Sequence, residues 1–197
     1  MAIQQKHKAA KQGHLDGACG FYAIANAIHL LEPELKQQDI FSLAFKVFLE
    51  DGDPMRFVEG TNRGSIKNTL SRVIKNLYEE YLFTLDDGNP YSINFEIPYW
   101  LESKPRTRAD VLEVLSTADH KQGNVALMGY TYNDGYQDNS HWTVIKQYKD
   151  GYLYTFDSSE EAKKIPLDGI RIDAKHDQHA SRPYNIISGD IFRLWRQ

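Results

Sequence analysis

The hydrophobic pattern changes period once along this 197-residue chain, and that change limits the folds open to it. Before residue 120 the apolar residues recur three and four apart, the repeat of helices with one buried face. From residue 124 they fall into short apolar-aromatic runs suited to strands. The spacing predicts a helix over 19–31, with Phe21, Ile24, Ile28 and Leu31 on one face, ending before Pro33. A second helix is expected over 40–50, with Asp39 as its N-cap and Ile40, Leu43, Val47 and Phe48 facing inward. It stops at the turn signal Asp51-Gly52-Asp53-Pro54. A third, over 66–82, follows Ser65 and carries Ile66, Leu70, Val73, Leu77 and Tyr81. Thr107 and Asp110 make a capping pattern before Val111, Leu112 and Leu115. Strands are expected over 124–132, 140–148, 151–157, 165–172 and 191–195. Helices followed by strands predict an α+β domain built on an antiparallel sheet.

Composition excludes several functions. With 41% hydrophobic and 12% aromatic residues the chain is too apolar for intrinsic disorder. No repeat or linker divides it, so 1–197 reads as one domain, with 1–11 as a flexible arm. A net charge of −4 supplies no basic field, so nucleic acid is not an expected partner. The longest apolar stretch, 18–31, contains Asn26 and His29 and is too short to span a bilayer. The N-terminal segment lacks the apolar core of a secretory signal, so a cytoplasmic protein is expected, with export lacking a signal left open. Asp173, His176, Asp177 and His179 match no trusted metal spacing and read as a solvated loop; no metal or cofactor is expected.

One cysteine rules out an internal disulfide and any Cys₄ or Cys₂His₂ zinc site. Cys19 itself follows a glycine-bearing polar loop and opens the first helix. The unpaired N–H groups of a helix's first turn carry roughly half a positive charge, which favours thiolate and can hold an oxyanion. Gly17 and Gly20 are expected to let backbone and substrate approach the sulfur closely. Among seven histidines only His141 stands at the start of a strand, a rigid mount for a base, with Trp142 beside it to exclude water. Tyr130, Tyr132, Tyr136 and Trp142 are candidates to line a peptide cleft.

Asp157 is the expected partner for His141, with Ser158 and Asn139 as weaker substitutes. A three-residue loop at Lys149-Asp150-Gly151 places Asp157 opposite Thr143 and diagonal to His141 on one face. A two-residue Asp150-Gly151 loop places it opposite Val144, on the wrong face. The triad reading therefore predicts the longer loop.

Cys19-Gly20 on a helix, His141-Trp142-Thr143-Val144-Ile145 on a strand and Asp157-Ser158 after the next one resemble the papain-like cysteine peptidases. Among these they resemble the compact bacterial branch, which includes bacteriocin-leader-processing peptidases. The segment Asp16-Gly17-Ala18-Cys19-Gly20 also looks like the Asp-Gly-x-Cys motif of ovarian-tumour-type deubiquitinases. The resemblance covers 12–28 and about 125–159. It implies a papain-like α+β fold, in which a helical part bearing the Cys packs on an antiparallel sheet bearing His and Asp. It also implies a Cys19–His141–Asp157 triad acting on a protein or peptide amide. An oxyanion-hole Gln stands six residues before the nucleophile in papain-like enzymes, whereas Gln12 lies seven before Cys19. The oxyanion role thus stays open between Gln12 and the backbone N–H of Cys19, with Asp16 or its neighbours assisting. Glutamine deamidation, acyl or amine transfer through the same thioester, and an inactive binding module are the alternatives.

Overall fold

The computed structural model of the chain describes residues 17–51, 53–85, 87–100, 106–133, 138–158, 163–174 and 182–197. It is an α+β arrangement with helices toward the N-terminus and a largely antiparallel sheet. The first helix, α1 (Cys19–Leu31), is buried along almost its whole length, Phe21, Ile24, Ile28 and Leu31 completely. A helix apolar all round belongs inside a core. On it pack α2 (Gln37–Asp51) and α4 (Arg63–Glu80), through Ile40, Val47 and Phe48 and through Ile66, Leu70, Val73 and Leu77. The short α3 (Arg56–Glu59) leads from α2 toward α4.

The helix starts differ from expectation. α2 begins at Gln37, so Asp39 lies inside its first turn, where a carboxylate still complements the helix dipole. The cap of α4 is Asn62, whose side chain accepts from the Ser65 amide at 2.9 Å, so the helix starts at Arg63 and ends at Glu80. At α5 (Arg108–Ser116) the Thr107–Asp110 capping box is present with both bonds made.

The sheet comprises β1 (Ile93–Glu96), β2 (Asn124–Asn133), β3 (Asp138–Lys149), β4 (Tyr152–Phe156), β5 (Lys164–Pro166), β6 (Ile170–Ile172) and β7 (Tyr184–Arg196). Its order is β1-β7-β2-β3-β4-β5, with β6 added alongside β7. Three expectations are corrected. The expected 165–172 strand is broken by the 3-10 turn Leu167–Gly169 into β5 and β6. β6 pairs with β7 in parallel, so the sheet is not wholly antiparallel. Finally, β1 precedes α5, so the helices are not all finished before the first strand.

The two sheet faces are covered differently. Val125, Leu127, Trp142, Val144, Phe156, Phe192 and Leu194 join the helical core around α1. Ala126, Met128, Tyr130, Ile145, Leu153, Ile186 and Ile191 form a second core with Val111 and Leu115 of α5. Strand alternation produces that division in β2, β3 and β4, and in β7 the irregularity between Ile186 and Ile191 shifts the alternation, so that Ile186 and Phe192 face opposite ways.

The β3–β4 hairpin decides whether His141 and Asp157 can meet. Its loop has two residues, not three: Lys149 pairs with Tyr152, and Asp150 and Gly151 take positive φ of 50° and 77°. Asp-Gly is a preferred pair for a turn that needs positive φ at both centres, so local chemistry selects the short loop. A bulge between Ile145 and Gln147 then shifts the ladder by one residue, leaving Ile145 opposite Thr155 and Val144 opposite Phe156. One step further, Asp157 stands opposite Thr143. The expected loop is overturned, but the bulge supplies the register that it was meant to supply.

Candidate active site

Cys19, His141 and Asp157 come together. His141 Nε2 lies 2.8 Å from Asp157 Oδ1, and the Cys19 thiol is close enough to the ring to favour its protonated form. With Nε2 committed to the carboxylate, Nδ1 is the nitrogen left for the sulfur. The carboxylate fixes the ring's orientation and favours its protonated form. Burial of the imidazole opposes protonation. The Asp157 hydrogen bond, the thiol contact and the negative charge of both partners outweigh it, and His141 is pushed up to about 10. Both side chains are covered, His141 to 10% and Asp157 to 3% exposure, so their interaction is little screened by water. Tyr130, the direct ladder partner of His141, packs edge-on against the ring at 5.7 Å and 77°. Tyr132 and Tyr184 flank Tyr130 in turn.

Cys19 is the first residue of α1, 7% exposed, its Sγ 3.9 Å from the Gly17 carbonyl. Ala18 occupies the N-cap and gives no side-chain capping bond. The first intrahelical bonds are those of Phe21 and Tyr22 to the Ala18 carbonyl, so the Cys19 and Gly20 amides precede them. These are the donors the site offers to an oxyanion beside the sulfur.

Two glycines hold this turn in place. A Cβ on Gly17 would sit 2.5 Å from the Gly60 nitrogen and 2.6 Å from the Val58 oxygen. One on Gly20 would sit 2.1 Å from Thr61 Oγ1 and 2.3 Å from Ile66 Cδ1. The close approach both permit is therefore of the protein's own 58–66 segment, not of substrate. The Gly17 amide also donates to the Phe57 carbonyl at 2.8 Å. Gly17→Ala forces backbone apart from backbone, at a cost of about 1–3 kcal/mol. Its expected outcome is a lower urea midpoint together with slower alkylation of Cys19, read by mass spectrometry. Gly20→Ala meets only the ends of two side chains and is expected to be milder.

Trp142 is not in the site. It is 5% exposed and turns to the helical core, where it meets Phe192 edge-on at 5.9 Å and donates Nε1–H to the Thr61 carbonyl at 3.0 Å. Neighbours along a strand face opposite ways, so a His on one face puts the following Trp on the other. Its expected roles in substrate binding and cleft lining are corrected to that of a brace between β3 and the segment behind Gly20. Gln12, Asp16 and Tyr136 lie outside the described residues, as do His176, Asp177 and His179. Asp173 is described, and it accepts from the Ser188 amide and hydroxyl at 2.9 and 2.6 Å.

No family model matches the chain, and no curated protein matches it.

Tyr130 is among the residues expected from sequence to line a cleft, but its direct pairing with His141 depends on a register invisible in the β2 segment alone. Arg63 and Asp190 were not singled out by the sequence. Arg63 anchors the start of α4, with Nη1 3.1 Å from the Gly189 carbonyl and Nε 3.9 Å from Asp190. Burial, opposed by Arg63 and reinforced by Asp173, pushes Asp190 up to about 6. Asp190 sits in a wide bulge of β7, where Ile187 to Asp190 face the single Gly129. Among the described residues, no group of three His, Cys, Asp or Glu side chains could hold a metal. No helix among them is long and apolar enough to cross a membrane.

Proposed function

We propose that the chain is a cysteine-dependent amide hydrolase of papain-like type, a peptidase or isopeptidase acting on a protein or peptide. The observation that carries this reading is the position of the His141 ring, hydrogen-bonded to Asp157 and neighboured by the Cys19 thiol. With its proton already passed to His141, the Cys19 Sγ attacks the amide carbon, forming a C–S bond as the carbonyl π bond opens. The carbonyl oxygen becomes an oxyanion facing the Cys19 and Gly20 amides. Collapse breaks the C–N bond, and the leaving nitrogen takes the proton from His141. A water then gives its proton to His141 and its oxygen to the thioester carbon, releasing acid and thiol. Asp157 keeps the imidazolium oriented throughout and is not itself protonated.

The single cysteine makes the test clean, because thiol-directed labelling has one target. Cys19 is expected to react with iodoacetamide at pH 7 at least tenfold faster than free cysteine. His141→Ala should bring the rate down to or below that of free cysteine by removing the proton acceptor. Equal rates for wild type and variant would remove the Cys–His pair and leave the inert binding module. Incubation with a peptide and a labelled amine separates hydrolysis from transfer: amine incorporation exceeding hydrolysis would replace the hydrolase by a transferase.

A further inference from the structure

The far end of α1 from Cys19 opens on a groove of about 1110 Å³, formed by the chain leaving α1 and the chain leaving α4. α1 has 13 residues, so at about 1.5 Å per residue the groove lies roughly 20 Å from the sulfur. Two features mark it.

The first is apolar. Leu82 is 81% exposed, Tyr81 47% and Leu85 40%, three large side chains within five residues. The second is electrostatic. Both helices end here, so both present the negative ends of their dipoles to one space. The last turn of α4 contains no basic residue and ends in Glu79 and Glu80. Glu32, Glu34 and Asp87 add three carboxylates to the lining. The one cation among the lining residues, Arg196, is spent on the α1 terminus: it donates Nε–H to the Leu31 carbonyl and lies 5.1 Å over the Tyr91 ring. Glu32 is held by the Tyr91 hydroxyl and the Glu34 amide, and Asp87 by the Asn89 amide and side chain, so these charges are fixed in place.

We propose that this groove is a docking site for a basic, amphipathic peptide segment of a protein partner. Apolar side chains of the segment cover Leu82 and Leu85, and its Lys or Arg side chains meet Glu32, Glu34 and Asp87. The charge complementarity selects this occupant: an acidic segment is repelled by every fixed charge except Arg196, and a purely apolar one leaves the carboxylates desolvated and unpaired. The proposal does not depend on the reaction at Cys19, and it holds for a binding module as well as for a hydrolase.

The test uses the full chain and a fluorescein-labelled octapeptide alternating leucine and lysine, with its leucine–glutamate counterpart as control, read by fluorescence anisotropy. The lysine peptide is expected to bind with Kd below about 100 μM and the glutamate peptide at least tenfold more weakly. Leu82→Ser and Glu34→Lys are both exposed changes that leave folding intact. Each should weaken binding at least fivefold, and Glu34→Lys should also flatten the salt dependence. Iodoacetamide labelling of Cys19 should be unchanged in both. Comparable binding of the two peptides, or binding indifferent to both variants, overturns the proposal. So does a dimer in light scattering that Leu82→Ser dissociates, because the groove is then covered by a second copy.

Discussion

Asp157→Asn should move the His141 titration from about 10 back toward the ordinary imidazole value near 6.5, and slow hydrolysis by about 10³- to 10⁴-fold. The amide that replaces the carboxylate keeps the shape of the side chain. It loses the negative charge that stabilises an imidazolium, and its NH₂ group can face Nε2 as a second donor. His141 is then free to take the wrong tautomer for accepting a proton from sulfur. An NMR titration of the ring C–H resonances reads the first effect directly; an unchanged midpoint would sink the assignment of Asp157 as the orienting acid. Stability supplies an independent readout. The folded-state value of His141 is raised, so the stabilisation it contributes is full below about 6.5 and is lost as pH rises through about 10. Urea midpoints should therefore fall across that window in the wild type and fall less in Asp157→Asn.

The second large effect is at Trp142. Trp142→Ala removes a ring buried against Phe192 and should cost about 3–5 kcal/mol. At roughly 2–4 °C per kcal/mol for a chain of this length, the Tm should drop by about 6–20 °C. Trp142→Phe keeps much of the packing but leaves the Thr61 carbonyl without its indole donor, a smaller loss of about 1–3 kcal/mol. Both variants loosen the segment that Gly20 packs against, so Cys19 alkylation should slow in the same order, alanine more than phenylalanine. A Tm change under about 3 °C for the alanine variant would show that the brace is not needed.

The helical half was legible because its signals are local. The buried stripe of α1 and the Thr107–Asp110 box both lie within one or two turns of chain, and both form where the pattern put them. The caps were less legible: Asn62 and Ser65 are equally good capping residues, and only the path of the preceding chain chooses between them. In the sheet, the strand segments could be read, but their partners could not. The parallel pairing of β6, the extra strand β1 and the wide bulge in β7 depend on contacts between segments far apart in sequence. For the candidate site, the chemistry of Cys19, His141 and Asp157 singled them out and the fold brings them together, whereas Trp142 was misplaced by ignoring alternation along the strand it shares with His141. Gly17 and Gly20 were recognised as permitting close approach, but what approaches is a segment 40 residues away in the chain.

The bulge between Ile145 and Gln147 has a consequence for how the hairpin tolerates change. A two-residue turn with the bulge and a three-residue turn without it are alternative seatings of one sequence, and both leave Val144 opposite Phe156. Lys146 thus acts as slack in the ladder: a slip of one residue at the tip is absorbed before it reaches the His141 end. Removing Lys146 takes up the slack and still leaves Ile145 facing Thr155, so a length change at that position is silent at the site. A residue gained between Lys146 and His141 cannot be taken up this way and transposes the inner part of the strand to the other face, whereas one lost there is absorbed by closing the bulge.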